Sequence, residues 1–182
     1  MQITSTVYAI AAATPWLFVL GRSDWKTRKL PNHLTLGGSV VILVFLFLAG
    51  GLPRVLNGLL GGAVAGGVLL IPFLLRAAGA GDLKFLFAGG LLTGWPAVFP
   101  MLLLTSVFGL LLGIGMQIAG LTDPARLKHF FRCAFDWRYD RAEGRKNLPP
   151  GSDEKCRVPF GVAIAVGVWT TLLLRVIGEN LK

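Results

Sequence analysis

The chain has 182 residues, 54% of them hydrophobic and only 15% charged, and its mean hydropathy is +0.67. That balance excludes an ordinary soluble domain and points to a multi-pass membrane protein. The formal net charge of +9 does not indicate a nucleic-acid partner, because the basic residues sit in short loops between apolar runs, where they orient a chain in a bilayer.

Apolar runs at 4–21, 33–51, 55–77, 83–95, 97–119 and 159–177 predict an all-α fold with six transmembrane helices, in a single membrane-embedded domain over 1–182. The segment 1–20 has no positive n-region and no small-residue cleavage site followed by a mature domain, so it is read as the first span and not as a leader. The fourth run is short, and Trp95-Pro96 marks its break from the fifth. Merging the two would give one helix longer than a bilayer is thick. With six crossings, Arg22, Lys26, Arg28, Lys29, Arg76, Lys84 and the nine basic residues of 126–157 share one side. Arg54, Arg175 and Lys182 lie on the other. The positive-inside rule then places both termini outside and the three basic loops in the cytoplasm.

In the third run Gly58, Gly62 and Gly66 recur every fourth residue, with Gly61 and Gly67 beside them, a small-residue face for close helix packing. Residues 120–157 form the one long polar segment, expected to lie on the cytoplasmic membrane surface with a short amphipathic helix at 126–139. Cys133, Cys156 and His129 fall there. Without a CxxC pair they are read as two free cytosolic thiols and a histidine, with no metal.

Of nine acidic residues, six lie in that polar segment and Glu179 is near the end. Only Asp24 and Asp82 abut spans in the tightly helical part. On the predicted topology both lie at the cytoplasmic border, and ionisable residues there are candidates for function. Two neighbouring carboxylates cannot both ionise cheaply, so one retains a proton. The ionised member can then take a proton from water while the other polarises a peptide carbonyl, chemistry that needs no cofactor. Gly79 and Gly81 bracket Asp82 closely enough to let another backbone approach. There is no GxSxG, no HExxH and no GK[ST] after the glycines. Plainer roles also fit: Asp24 as a cap ahead of the second span, balancing Lys26 and Arg28; Asp82 as the N-cap of the next helix; Lys84 as a snorkelling lysine.

The stretch Asp24-Trp-Lys-Thr-Arg28-Lys-Leu-Pro31-Asn32 resembles the D-x3-R-x-[IL]-P-N segment of type IV prepilin peptidases. Gly79-Ala-Gly81-Asp82-Leu-Lys84 is similar to that family's GxGDxK, followed by Gly89 and Gly90, and Pro159-Phe160-Gly161 to the start of its last span. The resemblance implies an aspartic endopeptidase of the bacterial inner membrane that removes the basic leader of prepilins or pseudopilins at the cytoplasmic face. Its catalytic pair would be Asp24 and Asp82. Supporting or substrate-binding roles would fall to Gly79, Gly81, Lys84, Arg28 and Asn32. Larger relatives carry a cytoplasmic insertion with two CxxC pairs and also N-methylate the product. This chain lacks both pairs and is similar to the short peptidases of tight-adherence (Flp-type) pili. The expected partners are the prepilin and membrane lipids, with no nucleic acid, no cofactor and no metal. A homo-oligomer is compatible with the sequence. Two alternatives stand beside this: another GxGD-type intramembrane protease, or a non-enzymatic channel or assembly subunit using Asp82 and Lys84.

Overall fold

The computed structural model describes residues 2–74, 78–121 and 158–180, and every regular element among them is a helix. These are α1 (Gln2–Thr27), α2 (Asn32–Leu74), α3 (Ala80–Thr93), α4 (Val98–Ile118) and α5 (Phe160–Asn180). The expected surface helix at 126–139, Cys133, Cys156, His129 and Arg76 lie outside the described residues.

α1 continues six residues past the predicted end of its apolar run. Hydropathy marks where lipid-compatible side chains stop, whereas the backbone ladder runs on until Arg28, whose φ of 54° ends it. Trp16 fastens α1 to its neighbours. Its Nε1 donates to the Leu34 carbonyl at 2.9 Å, and its ring meets Phe85 edge-on at 5.4 Å.

As a straight rod, the 43 residues of α2 would reach about 65 Å, twice a bilayer core. They do not form one. Gly50 and Gly51 leave helical geometry, Gly51 at φ 66°, and Pro53 follows in the first turn of the second half. The chain folds back: a Cβ at Gly58 would lie 2.6 Å from Leu46 Cδ1. α2 is therefore a helical hairpin whose two arms match the second and third predicted runs.

The second arm packs on α3 with backbone against backbone. Cβ atoms at Gly61 and Gly90 would each lie 2.5 Å from the other residue's carbonyl oxygen. The closest approach is thus at Gly61, one position off the four-residue stripe, while Gly67 has nothing near it. α3 ends at Gly94, and Asn57 clamps the turn to α4, accepting from Trp95 N at 3.0 Å and donating to its carbonyl at 3.1 Å. The break predicted at Trp95-Pro96 is where α3 and α4 separate.

Leu17 and Leu20 of α1, Phe85 and Leu86 of α3, Met101 of α4 and Ile164 and Val168 of α5 share one core. Outside it the surface is apolar. Leu48 is 78% and Ile118 83% exposed, which suits lipid contact and not water. α2, α4 and α5 contain helical stretches long and apolar enough to cross a membrane.

Candidate active site

Asp24 sits in the last turn of α1, beyond the predicted span and outside the three candidate crossings, yet is only 5% exposed. A buried carboxylate needs donors. It finds one at the start of α5, 137 positions away, where Gly161 N–H donates to Oδ2 at 2.7 Å. The first N–H groups of any helix lack intrahelical partners, and their dipole favours a carboxylate. Only glycine fits: a Cβ at 161 would lie 2.8 Å from Asp24 Oδ2 and 3.0 Å from Cγ. Burial pushes the Asp24 carboxyl above its ordinary value of 3.8, against the opposing pull of Gly161 N–H, then the Arg28 charge, then Val162 N–H.

That direction has a consequence for stability. The folded state holds the Asp24 proton more tightly than the unfolded chain, so between the ordinary value and the raised one the native state binds more protons. The stability associated with Asp24 therefore falls as pH rises through the folded-state value. Asn keeps an oxygen for Gly161 N–H and carries no charge. Asp24→Asn should therefore melt above wild type at neutral pH, the gap closing toward pH 3; a constant gap would deny the buried charge its cost.

Asp82 lies in the first turn of α3, half-buried. It is not the N-cap. Gly79 holds that position, and Asp82 Oδ2 accepts Gly79 N–H at 3.2 Å from the third helical residue, the returning half of a capping box. Nor does the Asp24 side chain cap the second span; it accepts Gly161 N–H of α5.

The corner between α1 and α2 joins these two helix ends. Leu30 lies over Gly81, where a Cβ would be 3.0 Å from Leu30 Cβ, so the chain's own α1–α2 corner makes a close approach at that glycine. Lys84 Nζ donates to Asn32 Oδ1 at 2.9 Å, which makes these two a strut between α2 and α3 and explains Lys84 without snorkelling. Ser23 Oγ donates to the Lys29 carbonyl at 3.1 Å, closing the corner. The α1 terminus bearing Asp24, the α3 start bearing Asp82 and the α5 start bearing Gly161 converge at one end of the bundle.

Arg28 is the one non-glycine residue with positive φ among the described residues. Its N–H bonds the Asp24 carbonyl at 2.9 Å, an αL helix cap usually made by glycine. A side chain there costs about 1–2 kcal/mol. Its guanidinium stands 5.7 Å from the centre of the Trp25 ring, and its buried Nη1 has no hydrogen-bond partner among the described residues. Leaving a buried donor unpaired costs about 1–3 kcal/mol more.

Residues 11–114, more than half of the chain, match the family model described as the type IV leader peptidase family. The chain belongs to that family. No curated protein and no solved structure gives a significant match. The leader-peptidase match takes in Asp24, Arg28, Gly79, Asp82 and Lys84, and it implies a membrane peptidase. Gly161 falls beyond the matched residues. In the sequence it stands out only as part of the last-span motif, and a glycine two residues after Pro159 at a helix start is the signal that points to it.

Proposed function

We propose that this leader peptidase is an aspartic endopeptidase that cuts the basic leader from type IV prepilins or pseudopilins at the cytoplasmic rim of the inner membrane. Asp24 and Asp82 form its catalytic pair. The observation that carries the reading is a carboxylate buried to 5% exposure and held by a backbone N–H, at the bundle end where a second carboxylate opens α3. One acid, ionised, takes a proton from water as the oxygen attacks the scissile carbonyl carbon. The other, protonated, gives its proton to the carbonyl oxygen. The resulting diol collapses with cleavage of the C–N bond, and the departing amine takes a proton back from the pair.

The α2 hairpin and the helix break before α4 support six crossings, the short α3 among them, and the distribution of basic residues supports termini outside. A prepilin offers a basic leader followed by an apolar helix, and that helix can lie against the lipid-facing surface of the bundle while its leader stays at the basic rim. Purified chain in proteoliposomes with a prepilin should release the leader with a new carboxylate at the cut. An intact prepilin after long incubation would count against the reading.

A further inference from the structure

We propose that the end of the bundle remote from Asp24 and Asp82 binds a phosphate group, in a cavity lined by both Arg54 and Arg175. The cavity is partly open and measures about 60 Å³. A water needs roughly 10–15 Å³, so the space suits a group of about five heavy atoms, the size of a phosphate. Arg54 reaches it from the second arm of α2, Thr93 from the end of α3, and Arg175 from α5. Asp82 and Gly94, another lining residue, are twelve positions apart, which sets the cavity about 18 Å along α3 from that acid. The inference therefore stands apart from the peptidase reading.

Each arginine is tethered at a helix end. Arg54 Nη1 donates to the Ala49 carbonyl at 3.3 Å, and Arg175 Nη1 donates to the Thr93 carbonyl at 3.3 Å. A guanidinium has five N–H donors, so such a tether fixes its place and still suits it to an oxyanion. Capping alone does not explain why both cations line one space, nor why Arg54 stands where it does. It follows Pro53 in the first turn of its arm, where the helix N-terminus carries about +0.5 charge and disfavours a cation. The helix ends at Ala49 and Thr93 return roughly −0.5 each, which leaves a positive excess. Among the described residues no carboxylate lines the cavity. An anion removes that repulsion. On the proposed topology Arg54, Arg175 and Lys182 are the basic residues of the outer side, against fifteen inside, and two of those three meet here. Bilayer phosphates lie at the level of helix ends, and Phe45 and Leu172 give the cavity an apolar wall for the rest of a lipid. A headgroup and a free phosphate offer the arginines the same chemistry.

The test is thermal melting of the full chain in dodecyl maltoside, a detergent without phosphate, with phosphatidylglycerol, phosphatidylcholine or inorganic phosphate added at equal ionic strength. A ligand that fills the site at about a hundredfold over its Kd should raise Tm by roughly 5 °C. A rise with phosphatidylglycerol alone assigns the site to a lipid headgroup, a rise with inorganic phosphate alone to the free ion, and a rise with both to the phosphate group itself. Arg54→Gln and Arg175→Gln should each weaken the apparent affinity at least about tenfold, and the lysine variants less, since they keep the charge without the fork. Lys26→Gln removes the same charge from an exposed position at the other end and should bind as wild type. The proposal is overturned if neither phosphatidylglycerol nor inorganic phosphate moves Tm, or if phosphatidylcholine, which has no net charge, does as well as phosphatidylglycerol. It is overturned too if both glutamine variants respond as wild type. Should a glutamine variant not fold, the lysine variant at that position decides: an undiminished response overturns the proposal, and a weakened one supports it.

Discussion

Asp24→Asn and Asp82→Asn should each cut the rate of prepilin cleavage by about 10³-fold or more, in protein that still inserts and melts no lower than wild type. Acid–base catalysis by one positioned group is commonly worth 10²–10⁴-fold. In the proposed mechanism each acid does both halves of the work, since the pair would exchange one proton in every step. Asn can still accept the backbone hydrogen bonds from Gly161 and Gly79, so the fold keeps its partners while the proton has nowhere to go. Co-expression with a prepilin and analysis by gel shift measures the loss directly. Full processing by either variant would end the pair's claim. A channel or assembly role using Asp82 and Lys84 predicts something different, a function that survives at Asp24 and fails only at Asp82.

Gly161→Ala should lower kcat/KM by roughly 10²-fold, the scale expected when a reacting group is misplaced by about 1 Å. The added methyl would sit 2.8 Å from Asp24 Oδ2 and 3.1 Å from Asp24 Cβ, so either the carboxylate or the start of α5 must give way. α5 is anchored by Ile164, Val168 and Leu172 in the core, which leaves the carboxylate to move. Gly113→Ala on α4, where nothing lies within 4 Å of the added atom, is the matched control and should keep wild-type activity. Steady-state rates for the two variants on one prepilin check this, and an unimpaired Gly161→Ala would mean that Asp24 needs no such holder.

The helices were legible because their ends are written in local chemistry. Gly50-Gly51 with Pro53 stops one apolar run, and Trp95-Pro96 stops another, so the segmentation follows the sequence to within a few residues. The end of α1 was not legible. Its cap is an arginine with φ 54° where glycine is the usual sign, and the charged residues after Leu20 mask a helix that continues to Thr27. The two acids stood out because charge is rare beside these spans, but their partners did not. Gly161 reaches Asp24 across 137 positions, and Lys84 reaches Asn32 across 52. No local pattern encodes such pairings, which follow from how α1, α3 and α5 pack. Gly81 was open for the same reason: its missing side chain admits Leu30 of the same chain, and sequence alone does not say whether such room serves a neighbour or a substrate.

The most direct measurement is whether positions 24 and 82 can be joined. Asp24→Cys and Asp82→Cys, combined in a chain whose Cys133 and Cys156 are changed to Ser, would be treated in native membranes with the shortest bis-methanethiosulfonate and mapped by mass spectrometry. Rapid intramolecular linkage, reachable by a reagent added from the cytoplasmic side, is the predicted result. Two cysteines that label independently, or from opposite faces of the membrane, would contradict a shared catalytic pair.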